Sequence, residues 1–231
     1  MNLFLIPARG GSKGLPEKNI KIINNKPLII HALDFANNCK QNDDIIFLST
    51  NDLKIKEIAE NFGYEVPFLR PESLSTDESS TIDVVRHVIN EFSLKNCYFE
   101  KIILLQPTTP FRNLTHFIEM MNLFDNDTDM VVSVLKSKQN PYFNLFEENN
   151  DGYLELSKKS NFIRRQDCPN VFQYNGSIYI INAKSLNEYK EFSNFSKIKK
   201  YEMPDEYSID IDTEIDFKLA EYIFELHHGK I

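Results

Sequence analysis

The stretch Asn2 to Asn25, NLFLIPARGGSKGLPEKNIKIINN, decides how the chain is read. Leu3, Phe4, Leu5 and Ile6 form a short continuous apolar run, the pattern of a strand buried on both faces, and Pro7 predicts its end. In the loop that follows, Gly10, Gly11 and Gly14 stand among the cations Arg9, Lys13, Lys18 and Lys21. Glycines let backbone N–H groups come close to a ligand and the cations neutralise it, so an anionic group such as a polyphosphate is the natural guest. The competing reading is a glycine-rich turn with solvated lysines. Neither standard phosphate motif fits. A Walker loop needs G-x-x-x-x-G-K-[ST], whereas Leu15 and Pro16 follow Gly14 here, and Pro16 with Pro7 breaks the register of a dinucleotide fingerprint. The expected ligand is a nucleotide held in another manner.

Outward from this stretch, strand and helix patterns alternate. The periodicity predicts a helix over 27–37, in which His31 is a packed or partly exposed residue, and a strand over 44–49. Thr50-Asn51-Asp52 then caps a helix over 53–62, ended by Gly63, and a short strand over 65–69 follows. Helices over 82–92 and 114–122 and strands over 101–105 and 130–135 continue the rhythm. Such alternation predicts βαβ units, a largely parallel sheet and helices on both faces, a three-layer sandwich. Between Leu69 and Ile82, Arg70 is suited to an anion or a base edge, and Ser79, Ser80 and Thr81 offer hydroxyls; the alternative is an exposed loop that caps a helix. Gln106 and Arg112 follow a buried strand at its carboxyl end, where open α/β sheets bind ligands, which makes both candidates beside a purely structural loop.

The rhythm breaks over 136–173, with the turn Asn149-Asn150-Asp151-Gly152 and the cluster Lys158, Lys159, Arg164 and Arg165. This excursion has too little apolar material to stand alone, so a β-rich flap packing on its own domain or on a second subunit is expected; a partner would account for Tyr142, Phe143, Phe146 and Phe162. A strand over 176–181 resumes the sheet, with Tyr174 and Asn175 just before it. In Ile209-Asp210-Ile211-Asp212 the carboxylates alternate with isoleucines, so in extended chain both acids point one way while the isoleucines enter the core. Two such carboxylates suit a hard cation shared with a polyphosphate, as Mg²⁺ is usually held. The alternative is that Asp212 or Thr213 caps the final helix, 214–226, with Asp216 in its first turn. His227 and His228 read as a fraying terminus.

The chain has 231 residues and 27.0 kDa, enough for one α/β domain over 1–231 with an inserted flap, and 42% hydrophobic residues exclude a disordered chain. With 34 acidic against 26 basic residues and a net charge of -8, it repels nucleic acid and anionic membrane; free nucleotide is the better partner. Cys39, Cys97 and Cys168 show no C-x-x-C spacing, which indicates neither a disulfide framework nor a thiolate metal site. With no long apolar run and a strand pattern at the start, the expectation is a cytoplasmic protein.

The segments IPARGGSKGLPEKN (6–19), LRPESLSTDESST (69–81), LLQPTTPFR (104–112), YNGSIYI (174–180) and SIDIDTEID (208–216) together resemble the bacterial CMP-sugar synthetases, the cytidylyltransferases of N-acylneuraminate and related nonulosonic acids. The resemblance covers almost the whole chain, in order and spacing. It implies a Rossmann-like nucleotidyltransferase domain, a homodimer with shared active sites, and Mg²⁺-dependent conversion of CTP and a nine-carbon 2-keto sugar acid to CMP-sugar and diphosphate. By matched position it implies CTP contacts from Arg9, Gly10, Gly11, Ser12, Lys13, Lys18 and Asn19, base and ribose contacts from Arg70, Ser79 and Thr81, and metal ligands at Asp210 and Asp212. The sugar acid would meet Gln106, Phe143, Tyr174, Asn175 and Tyr179, with Arg165 reaching across the dimer to the neighbour's site. Sialate-specific members tend to carry a lysine where this chain has Phe143, and the segment looks like that of legionaminate-activating members; both acceptors stay open here. CMP-Kdo synthetases, sugar-1-phosphate nucleotidyltransferases and a non-enzymatic nucleotide-binding module are the rival readings.

Overall fold

In the computed structural model, which describes residues 1–11 and 13–227, the apolar runs become the strands of one 6-stranded sheet. They are β1 (Asn2–Pro7), β2 (Ile45–Ser49), β3 (Lys101–Leu105), β4 (Met130–Lys136), β5 (Phe172–Asn182) and β6 (Ile198–Glu202), in the order β6-β4-β5-β3-β1-β2. β1 pairs in parallel with β2 and β3, and β6 in parallel with β4; β5 runs antiparallel between β3 and β4. The sheet is therefore mostly parallel with one reversed strand. Ser12 and His228 lie outside the described residues.

The strand period of two divides the core between the faces. Phe4, Ile6, Ile103 and Leu105 pack under helices α1 (Leu28–Cys39), α2 (Leu53–Asn61) and α4 (Leu114–Leu123). Leu3, Leu5, Ile102 and Leu104 pack on the opposite face against α3 (Thr81–Ser93). The three layers expected from the alternation are present. A third, smaller cluster joins Leu15, Ile23, Leu28 and Phe111 to Ile211 and to Phe217, Ala220 and Phe224 of the last helix, α5 (Glu214–His227). This cluster brings the glycine-rich loop and the aspartate segment to one place.

Two expectations are corrected. Residues 65–69 form no strand; Pro67 has no N–H to give, and the segment passes β2 with only Arg70 N–H bonding to Thr50 O at 2.7 Å. β5 begins at Phe172, so Tyr174 and Asn175 lie inside the strand. Its register against β4 shifts between Val132 and Val134, where Ser133 Oγ donates to Asn175 Oδ1 at 2.6 Å and accepts from Ile178 N–H at 2.8 Å. Gly176 takes φ +72° in this bulge, a conformation that disfavours a side chain.

The 136–173 excursion leaves β4 and returns on β5 at the paired residues Lys136 and Phe172. It carries a short antiparallel ladder, Phe146–Glu148 with Leu154–Leu156, and leaves Phe143, Phe146, Leu154, Phe162 and Ile163 exposed. The three cysteines are unpaired.

Candidate active site

At the carboxyl ends of β1 and β3 lies a cleft of about 430 Å³. Its walls come from the glycine-rich loop, the segment 70–84, the 106–108 turn and Asp212. The loop is held close by its small residues. A Cβ on Gly14 would sit 2.5 Å from Asp212 O, and one on Gly10 would sit 2.7 Å from Asp52 Oδ2. Gly11 has φ +71°. Gly10 N–H donates to Asn51 Oδ1 at 3.1 Å, and Asn19, nearly buried, donates through Nδ2 to Arg9 O at 3.0 Å, so Asn19 shapes the loop in addition to lining the cleft.

The loop's cations converge. Arg9 donates to Asp77 Oδ1 at 2.6 Å and Lys13 pairs with the same carboxylate, which these two partners hold below the usual carboxylate range. Lys18 Nζ, 12% exposed, reaches Asp212 Oδ1 at 2.8 Å across 194 residues of sequence. Arg70 is buried on the cleft wall, donating from Nε to Ser49 Oγ at 3.1 Å and from Nη2 to Ser49 O at 2.5 Å. Its partners are neutral; burial, and secondarily the charge of Arg9, push its pKa down to about 10. A buried cation facing a cation and no acid favours an electron-rich ligand. Ser79 and Thr81 line the same wall, Thr81 as the first residue of α3, which Ser80 caps by accepting from Asp83 N–H.

Opposite lies the acidic segment. Ile211 is fully buried and its N–H donates to Thr108 O at 2.8 Å, which presents Asp210 and Asp212 outward as the alternation predicts. The cap of the last helix is Thr213, one of the two residues the alternative names: its Oγ1 accepts from Asp216 N–H at 3.3 Å, while Asp216 Oδ2 accepts from Thr213 N–H and Oγ1, each at 2.8 Å, which leaves the Asp212 carboxylate to Lys18. Asp210 is exposed, yet partial desolvation of its carboxyl raises it above its usual range, Asp212 and Asp216 adding to the rise while a Thr108 hydrogen bond and Lys18 oppose it. A Cβ on Gly176 would lie 3.4 Å from Gln106 Oε1 and 3.6 Å from Asp210 Oδ2, so the β5 bulge sets the spacing between these two groups.

Other predicted residues lie elsewhere. Asn175, 3% exposed, engages both side-chain groups, donating to Ser208 Oγ at 2.9 Å and accepting from Ser133 Oγ and Ser177 N–H. Tyr179 is buried against Phe192 and Tyr174; burial, with Asp210 and Tyr174 adding, pushes its pKa up to about 12. Tyr174 and Phe143 are part-exposed and do not line the cleft. Arg165 lines a separate pocket with Lys136, Asn140 and Cys168 and donates to Lys138 O. Arg112 is buried beneath the site, donating to Gln106 O at 2.5 Å and to Ser177 O at 2.9 and 3.1 Å, a brace between β3 and β5. Asp77 and Thr108 also line the cleft; each sits inside a quoted segment, but nothing in spacing marks Asp77 as the partner of Arg9 and Lys13.

The cytidylyltransferase family model matches residues 3–230. The chain belongs to the cytidylyltransferase family. This cytidylyltransferase is 34% identical to the CMP-N,N'-diacetyllegionaminic acid synthase of Legionella pneumophila, covering 97% of each chain. It is 35% identical over 219 residues to the N-acylneuraminate cytidylyltransferase of Streptococcus agalactiae, matching 93% of this chain and 51% of that protein, so it spans about half the length of that relative. Among solved structures, CMP:2-keto-3-deoxy-manno-octonic acid synthetase complexed with CTP superposes with a TM-score of 0.70 at 16% identity over 98% of this cytidylyltransferase and 99% of that chain, which shows a shared fold. No helix among the described residues is long and apolar enough to cross a membrane.

Proposed function

We propose that this cytidylyltransferase activates a nonulosonic acid of the di-N-acetyllegionaminate type with CTP, giving the CMP-sugar and diphosphate. One observation carries the reading: Gly14 packs on the Asp212 backbone and Lys18 reaches the Asp212 carboxylate, so the glycine-rich loop and Asp212 line one cleft, with Asp210 two residues away outside its lining. The acceptor is supported by the relative named for diacetyllegionaminate, which matches end to end.

In this reading the loop N–H groups with Arg9, Lys13 and Lys18 hold the triphosphate, displacing Asp77 from its two cations. Arg70, Ser79 and Thr81 face the nucleoside, and Gln106 orients the sugar acid. The anomeric 2-hydroxyl of the sugar attacks the α-phosphorus in line with departing diphosphate; a P–O bond to the sugar forms as the α–β bridge breaks, and the hydroxyl proton leaves to solvent. Positioning and neutralisation of phosphoryl charge supply most of the rate.

Asp210 and Asp212 would hold Mg²⁺. The donor set fits: two hard oxygen ligands repel each other with Lys18 as the nearby cation, and such an ion takes its other ligands from phosphate and water. When bound, the ion adds charge neutralisation at the phosphates. We further propose a homodimer in which the exposed flap covers a neighbour and carries Arg165 to its sugar carboxylate, and a cytoplasmic setting, consistent with unpaired cysteines and a nucleoside triphosphate substrate.

The test is diphosphate release from CTP and Mg²⁺ with di-N-acetyllegionaminate, N-acetylneuraminate, pseudaminate and Kdo in parallel. The highest kcat/KM is expected with legionaminate. A lead for neuraminate would overturn the acceptor, and CTP binding without turnover of any acceptor would overturn the enzymatic assignment.

A further inference from the structure

The last helix, α5, has two apolar faces. Phe217, Ala220 and Phe224 are buried in the core, whereas Ile215, Leu219, Tyr222 and Leu226 are 79%, 46%, 56% and 55% exposed. Successive members of this second set are four, three and four residues apart, which at about 100° per residue confines them to an arc of roughly 60°. This is the a/d spacing of a helix seam that lacks a partner among the described residues. Along one flank run Lys218 and Glu225, both exposed, and Lys218 forms no ion pair among the described residues.

We propose that this face binds the same face of a second copy, with the two α5 helices antiparallel about a twofold axis near the middle of the seam. The charges select the direction. Antiparallel, Leu219 of one copy meets Tyr222 of the other, and Lys218 comes opposite Glu225, twice by symmetry. In a parallel pair the two Lys218–Glu225 flanks lie on opposite sides of the seam, so neither charge meets the other. A 14-residue helix is about 21 Å long, so the contact falls below the ~800 Å² per partner of a standard interface. Association in the micromolar range follows. The surface is distinct from the flap, so it adds a second association step to any flap-mediated dimer.

Sedimentation velocity of the full chain from about 1 to several hundred micromolar tests this. The mass of the wild type doubles over that range, from whatever unit exists at low concentration. Leu219→Asp, an exposed change remote from the cleft that leaves diphosphate release intact, abolishes the doubling. Lys218→Glu weakens association at least fivefold, and Lys218→Glu with Glu225→Lys restores it. A wild-type mass that matches Leu219→Asp at every concentration, as assembly through the flap alone or cover by another chain segment would give, overturns the proposal. Doubling insensitive to the charge changes overturns the antiparallel arrangement.

Discussion

Gly14→Ala isolates the contact on which the cleft depends. The added methyl would lie 2.5 Å from Asp212 O, about 0.9 Å inside the 3.4 Å at which ordinary contact begins. The obstacle is backbone, so no side-chain rotation relieves it; the loop or the 210–212 segment must retreat by nearly an ångström. That displacement separates Lys18 from Asp212, now 2.8 Å apart, and moves the loop N–H groups away from the phosphates. A misplacement of about 1 Å costs on the order of 100-fold in rate, equivalent to about 2.7 kcal/mol of transition-state stabilisation. Stability also falls, by about 1–3 kcal/mol for the overpacked contact and about 1 kcal/mol or less for the part-exposed pair, so a melt separates an unfolded protein from a folded but slow one. The assay is kcat/KM for CTP by diphosphate release, with a thermal melt on the same sample. Gly11→Ala is the control: its φ of +71° disfavours a side chain, but nothing lies within 4 Å, so local strain arises without displacement of Asp212. A Gly14→Ala protein within threefold of wild type would refute the reasoning.

Asp212→Ala is expected to cut kcat at least 100-fold while shifting Tm by less than about 3 °C, since the carboxylate is largely exposed and caps nothing; turnover that stays normal at low Mg²⁺ contradicts its metal role. Arg112→Met removes the brace on Gln106 O and Ser177 O and should cost about 2 kcal/mol, read as a Tm lowered by several degrees; an unchanged Tm argues against the brace. If the flap crosses to a neighbour, Arg165→Ala and Asp212→Ala chains mixed as heterodimers regain about half of wild-type activity through one intact site, whereas activity no higher than either parent rejects the shared site.

The strands and most helices were legible because apolar runs and caps are local signals. Leu3 to Ile6 read as a two-faced strand, and Leu3 and Phe4 do enter opposite cores. Asp52 was expected in the cap of α2 and accepts from Lys54 and Ile55 N–H. The alternation in Ile209 to Asp212 was likewise visible, since burial of Ile211 requires only an extended chain beside a core. What escaped depends on distant partners. Glu65 to Leu69 has strand composition, but Pro67 and an edge position give it no ladder. The early start of β5 depends on Ser133 filling the bulge around Gly176, a pairing across 42 residues or more. Asp77 becomes important only once Arg9 and Lys13 fold against it, and the pairing of Arg112 with the carbonyls of Gln106 and Ser177 places it under the cleft instead of in it.

The central claim is that one cleft holds the triphosphate between the glycine-rich loop and the aspartate pair. The most direct measurement is a crystal structure of the protein with CTP and Mg²⁺. The account predicts phosphates against the loop N–H groups and Arg9, Lys13 and Lys18, Asp77 released from Arg9 and Lys13, and metal density between the phosphates and Asp210 and Asp212. Nucleotide bound elsewhere, in the pocket around Arg165 for instance, or phosphates without metal at the aspartates, would contradict it.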